Sequence, residues 1–230
     1  MENKQSYLIP FSIIVAGVLI AGAVWYTNGG SRTPVAATGS AGQESAAGNA
    51  VESRALQLRE NDRVLGNSVA PVTVVEYGDF QCPFCGRLHA NINEPLREQY
   101  IKTGKVKFIW RDFAFLGAES QWASQAAHCA GDQEKFWEYH DYLFEHQNGE
   151  NRGAFSIANL KTFADALGIE RVAFDRCLDD EAYAELVEKN TQEGRSVGVS
   201  GTPTTFINGR SVVGAVSFAE FQGVIDAALQ

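Results

Sequence analysis

The sequence predicts an α/β domain, one sheet with helices on its faces and a block of helices inserted midway. Three observations carry this. A β-branched run, a capped amphipathic stretch and a second alternating run follow one another between residues 70 and 112. Residues 118–198 then read as helix almost throughout. From residue 202 the pattern returns to strand, hairpin, strand and helix. Alternation of period 2 marks the strands, and apolar spacing near 3.6 marks the helices.

The first strand is "APVTVVEYGDF", 70–80, where Val72, Thr73, Val74 and Val75 lie between Pro71 and Gly78. "CPFCGRLHANINEPLREQYIKTG" follows. Pro83 suits a first helical position, Cys82 falls in the capping slot, and Leu88, Ile92, Leu96 and Tyr100 form one apolar stripe. Gly104 is its expected stop. In "KVKFIWRDFAF", Val106, Phe108 and Trp110 alternate with Lys105, Lys107 and Ile109, which predicts the second strand.

Within the helical block, "ESQWASQAAHCAGDQEKFWEYHDYLFEHQ" has no proline and one glycine and reads as one helical stretch. Its aromatic segment "KFWEYHDYLF" reads as core, and His128, His140 and His146 as surface or half-buried positions. "SIANLKTFADALG", "RVAFDRCLDD" and "EAYAELVEKNTQEGRSVG" supply three more helices. "TPTTFING" reads as a strand ending in the Asn208-Gly209 hairpin turn, "RSVVGAV" as its partner, and "SFAEFQGVIDAAL" as a closing helix capped by Ser217 with Glu220 three residues on.

The chain of 230 residues suits one domain with extras. Residues 7–26, "YLIPFSIIVAGVLIAGAVWY", carry no charge. As a helix they would be roughly 30 Å long, one hydrocarbon core. That length favours a retained anchor over 1–26 rather than a cleaved signal peptide, and either reading places the rest outside the cytoplasm. Residues 27–56, rich in Gly, Ala, Ser and Thr, read as a flexible linker, and 57–230 as the folded domain. Of 28 acidic and 19 basic side chains, only three of each precede residue 57, so the net charge of −9 lies almost wholly in the folded part. An acidic domain gains nothing from phosphate backbones, which excludes nucleic acid as a partner.

Chemistry concentrates at "GDFQCPFCGRLH". A thiol at a helix N-terminus faces unpaired N–H groups and the positive end of the helix dipole, so Cys82 should be held as thiolate. The thiolate is the attacking species in disulfide exchange. Cys85, one turn on, is placed to resolve the mixed disulfide and should be the more buried. A zinc site needs four ligands, and Cys82, Cys85 and His89 give three with no second Cys pair to complete it. A merely structural bridge across two residues would gain little chain entropy. Thr202-Pro203, in "SGTPTTFING", could present a cis-proline to the pair. Taken alone it reads equally well as a trans proline opening an edge strand.

Together, "VVEYGDFQCPFC", "AGDQEKFWEYHDYLF" and "GVSGTPTTFING" resemble the DsbA-like thiol–disulfide oxidoreductases of the thioredoxin superfamily, most nearly the membrane-tethered or secreted bacterial forms. The resemblance covers about residues 60–230. It implies a thioredoxin-like fold with an inserted helical domain at about 118–198, Cys82 as the exposed nucleophile, Cys85 as its partner, and Pro203 as a cis-proline preceded by Thr202. It implies a buried acid at Glu76. The apolar neighbours Val74, Val75 and Tyr77 favour burial, the alternative being the solvent face of the strand. Cys129 and Cys177, left over in an oxidising compartment, most simply pair as a structural disulfide, as such relatives often do. No cofactor or metal is implied. The implied partners are reduced or unfolded protein substrates and a quinone-linked membrane protein that restores the disulfide. One departure stands out. The dipeptide between the cysteines is Pro83-Phe84, where the best-known members have Pro-His and a potential of about −120 mV. Phenylalanine offers no donor, so the direction of electron flow stays open between oxidase and reductase or isomerase. A non-catalytic binding module is the remaining alternative.

Overall fold

The computed structural model describes residues 56–230. The expected anchor at 1–26 and all but the last residue of the expected linker lie outside them. Among the described residues no helix is long and apolar enough to cross a membrane.

Five strands form one sheet: β1 (Arg63–Leu65), β2 (Val72–Gly78), β3 (Val106–Asp112), β4 (Thr204–Ile207) and β5 (Arg210–Val213). Their spatial order is β1-β3-β2-β4-β5. Among the described residues only β2 and β3 run parallel. Helix α1 (Pro83–Leu96) connects them, as a parallel pair requires a crossover. It continues into a π-helical turn, Arg97–Ile101. β1 escaped the sequence reading because three residues are too few to show a period. It covers the outer edge of β3 in antiparallel register.

The sheet's two faces follow from strict alternation. Val72 and Val74 pack with Leu88, Ile92 and Leu96 beneath α1, and Val106 and Phe108 join them from β3. Val75 and Tyr77 face the other way, with Ile109, Phe113 and Phe206. Each large aliphatic side chain so buried contributes about 1.5–3 kcal/mol. Glu76 is therefore dictated to the α1 face by its place two residues after Val74. Gly78 ends β2 where a Cβ would stand 2.2 Å from the Trp110 ring, so only glycine fits. The β4–β5 turn has Asn208 at φ 44° and Gly209 at φ 95°, the left-handed pair of a tight hairpin. Helix α7 (Phe218–Ala228) closes the chain, with the Ser217 side chain accepting from the Glu220 N–H.

Five helices stand between β3 and β4: α2 (Ala118–Gly131), α3 (Phe136–Glu145), α4 (Ile157–Ala166), α5 (Arg171–Asp179) and α6 (Ala184–Ser196). The single stretch expected over 119–147 is broken into α2 and α3. Asp132 to Lys135 turn the chain, with Glu134 at φ 61°. The turn lets Phe136, Tyr139, Leu143 and Phe144 fold back against Ala123, Ala126, Ala127 and Cys129 in one core. His128 and His140, expected at or near the surface, are 2% and 4% exposed, while His146 is exposed. The cause is local. His128 Nε2 lies 2.8 Å from the buried Asp112 carboxylate, and His140 sits among aromatic rings.

Candidate active site

Cys82 caps α1, with φ −68° and ψ 120°, and Pro83 occupies the first helical turn. Its N–H donates to the Asp79 carbonyl at 3.0 Å. Cys82 and Cys85 are unbridged. Cys82 is 5% exposed and Cys85 0%, so the nucleophile implied to be exposed is largely covered and its partner fully so. Thr202 contributes to that cover. The Thr202–Pro203 peptide is cis, and Cys82 Sγ lies 3.4 Å from the Thr202 carbonyl oxygen. The sequence-predicted Cys82, Cys85, Thr202, Pro203 and Glu76 thus come from β2, α1 and the loop before β4.

The two thiols are driven apart electrostatically. The Cys85 thiol, donating to Cys82, lowers the Cys82 pKa to about 6 against the opposing effect of burial, and the Thr202 side chain and the backbone N–H groups of Cys85 and Phe84 add to the lowering. Burial pushes Cys85 well above the ordinary thiol value, reinforced by its donation to Cys82 and by the charge on Glu76. At neutral pH the pair therefore holds one proton, on Cys85. Burial, helped by the charge on Cys82, raises Glu76 to about 8. Glu76 lines a cavity of about 20 Å³ beneath α1 together with His89 and His140.

Several residues around the pair were missed. Asp79 is fully buried and anchors the loop before Cys82. Its Oδ1 accepts from the Gln81 N–H at 2.8 Å and the Ser120 hydroxyl at 2.6 Å, and its Oδ2 from the Phe115 and Leu116 N–H groups at 3.0 and 3.2 Å. Burial raises its pKa despite these donors. The Asp79–Gln81 turn could have been read from "GDFQ", since Asp commonly accepts from the N–H two residues on. Gln147, just past α3, donates from Nε2 to the carbonyls of Phe80 (2.6 Å) and Cys82 (3.2 Å). Nothing in the sequence marks it, because the contact joins positions 65 residues apart. His89, weighed as a zinc ligand beside the cysteines, turns to Asp141 instead, with Nε2 at 3.1 Å from Oδ1.

Cys129 on α2 and Cys177 on α5 form a disulfide, with Cα atoms 5.8 Å apart. Cys129 is buried in the apolar core that also holds Cys82 and Cys85, and Cys177 packs against that core partly buried.

Comparison with known proteins agrees with the fold. A family model described as thioredoxin matches residues 58–227. Disulfide bond formation protein D of Bacillus subtilis is 30% identical over 170 residues, 73% of this chain and 77% of that protein. The chain belongs to the DsbA-like thiol–disulfide oxidoreductases of the thioredoxin superfamily. The oxidised crystal structure of BdbD from Bacillus subtilis superposes with a TM-score of 0.69 at 29% identity, covering 74% of this chain and 94% of that one. Wolbachia pipientis alpha-DsbA1, at 24% identity and a TM-score of 0.70, shares the fold. A different kind of relative is Na(+)/H(+) antiporter NhaA 1 of Salinispora arenicola, 34% identical over 171 residues. The chain spans only about a quarter of that protein, 25% of its length.

Proposed function

We propose that this chain introduces disulfides into secreted or membrane proteins outside the cytoplasm, using Cys82 and Cys85 as its redox pair. The observation that carries the reading is the asymmetry of the two thiols. A sulfur with pKa about 6 sits at a helix N-terminus against a cis-proline loop, and its neighbour keeps its proton. A stabilised thiolate is a good leaving group, which makes the corresponding disulfide a ready oxidant.

The steps follow from that asymmetry. A substrate thiolate attacks Cys82 Sγ in the Cys82–Cys85 disulfide. Cys85 leaves with the electron pair and takes up a proton, which Glu76 is placed to give. A second substrate thiolate attacks the substrate sulfur of the mixed disulfide, and Cys82 departs as thiolate. Two substrate thiols are oxidised and one protein disulfide is reduced. Thr202 and Pro203 would lie alongside the extended substrate. A membrane partner of quinone-linked type would restore the disulfide, and residues 1–26 would hold the domain at the membrane surface. The structural role of Cys129–Cys177 belongs to the same proposal.

The test is the equilibrium of Cys82–Cys85 with glutathione, in a variant lacking Cys129 and Cys177. A potential near about −120 mV supports a disulfide donor. One near about −270 mV overturns that direction and makes the same pair a reductant.

A further inference from the structure

His140 occupies an unusual position. Its ring is enclosed by Phe80, Trp110, Trp137 and Phe144, with centroids 4.8 to 5.5 Å away. One ring nitrogen escapes this cage. Nδ1 lies 3.0 Å from Asp141 Oδ1, and a carboxylate can only accept, so Nδ1 carries the proton. That leaves Nε2 as a lone pair, buried and without a hydrogen-bond partner among the described residues. A buried acceptor left unpaired costs about 1–3 kcal/mol, so such a group calls for a reason.

The reason lies in the cavity. His140 and Glu76 line the same pocket of about 20 Å³. A pocket needs about 10–15 Å³ to admit one water, so this one has room for a single molecule. On the far side of the ring, Asp141 is shared. His89 Nε2 approaches the same Oδ1 at 3.1 Å, and Arg97 Nη2 donates to Oδ2 at 2.7 Å. These side chains reach solvent, with Asp141 at 20%, His89 at 14% and Arg97 at 28% exposure. The groups facing His140 are thus Glu76 from β2, His89 and Arg97 from α1 and its continuation, and Asp141 beside it on α3. The trio His89, His140 and Asp141 has the composition of a metal site, but the Arg97 guanidinium already occupies the carboxylate and would repel a second cation.

We propose that His140 relays protons between Glu76 and solvent at Asp141, through one water in the cavity they share. The inference rests on the redox reading above and supplies what it lacks, a route for the proton that Cys85 must gain and lose. During reoxidation Glu76, protonated in the reduced chain, yields its proton to the water and takes up the proton of Cys85–SH in its place. The Cys85 thiolate attacks Cys82 Sγ in the mixed disulfide, expelling the partner's thiolate. The water protonates His140 Nε2 as Nδ1–H is released to Asp141 and on to bulk. During substrate oxidation Cys85 leaves as thiolate, and one proton runs inward along the same atoms. The two half-reactions carry one proton out and one in, so the ring returns to its starting tautomer. Burial, only partly offset by Asp141, depresses His140 to about 4, so the ring passes a proton without storing it.

The probe is oxidised glutathione, mixed with the reduced full chain in a stopped-flow instrument at pH 6 to 8. The first phase is bimolecular attack by Cys82. The second is resolution by Cys85, independent of glutathione concentration. In H140F the second phase should slow roughly tenfold to a hundredfold, the scale of one general acid–base contribution. Its solvent deuterium effect should change, while the first phase and the equilibrium constant stay as in wild type. D141N, altered at the solvent end, should slow the same phase by a smaller factor, and it serves if H140F fails to fold. Resolution at the wild-type rate in either folded variant overturns the relay. So does a parallel change in both phases and the equilibrium constant, which would mark a packing role. Absence of the bimolecular phase in wild type would instead defeat the redox reading itself.

Discussion

The chain carries two pairs of cysteines in contrasting settings. Cys82 and Cys85 lie two residues apart at the start of α1, on the sheet, with a buried acid and a cis-proline loop around them. Cys129 and Cys177 are 48 residues apart and bridge α2 to α5, with Cys129 buried in an apolar core and Cys177 partly buried against it. The first pair closes too small a loop to restrict the unfolded chain much, but its surroundings separate the two thiols' pKa values. The second closes a long loop and has no comparable device. The same bond is therefore a reagent in one place and a staple in the other, and its surroundings decide which.

That contrast can be broken in four ways. The largest effect is expected from C82S, which should abolish disulfide exchange with glutathione or a reduced protein while leaving the unfolding midpoint nearly unchanged. Residual exchange in this variant would mean that the second pair is also reactive. Replacing Cys129 and Cys177 by alanine should do the reverse. Stability in urea should fall by about 4 kcal/mol on the chain-entropy account, with the exchange rate kept. Loss of exchange in parallel would mean that the two regions are coupled.

E76Q probes the acid beneath the first pair. Glu76 has its pKa raised from 4.5 to about 8. Between those values the folded chain binds more protons than the unfolded one, so stability falls as pH rises through that window. Glutamine removes this penalty. The reduced variant should exceed reduced wild type by on the order of a few kcal/mol at pH 7, with the gap closing below pH 4.5. A gap that does not depend on pH would remove the acid from this account. The smallest effect is F84H. A donor between the cysteines should lower the Cys82 pKa further and make the potential less negative by about 30 mV for each pKa unit gained. An unchanged potential would show that the helix N-terminus and Cys85 already supply all the thiolate support this site can use.

Much of this arrangement was legible in the sequence, for reasons that differ by element. β2 announced itself as a β-branched run buried on both faces, α1 by its single apolar stripe and β3 by its alternation. The Asn208-Gly209 turn and the Ser217 cap were readable because their chemistry is local. Cys82 and Cys85 were readable as a unit because two thiols one helical turn apart need no third residue to suggest redox chemistry. Glu76 was marked as a buried acid by the family resemblance, and its apolar neighbours Val74, Val75 and Tyr77 favoured burial over the solvent face. What stayed hidden depends on distant partners. Gln147 matters only through carbonyls on another element. His140 looked ordinary because its burial comes from Phe80 and Trp110, which approach from the sheet side of the chain. The break between α2 and α3 had no proline to announce it. The cover over Cys82 comes from a loop 120 residues away.

Gln147 leads to a last consequence. Its two hydrogen bonds fasten the carbonyls of Phe80 and Cys82 to the end of α3, and Asp79 fastens the same loop to Ser120 on α2. The loop that carries the reactive sulfur is thus stitched to the helical block from both sides, and it cannot fray alone. In native-state hydrogen exchange, the Gln81 amide should open together with amides of α2 and α3 as one cooperative unit. A tug on the insertion, by heat, denaturant or a docking protein, would then reach the thiol without touching it.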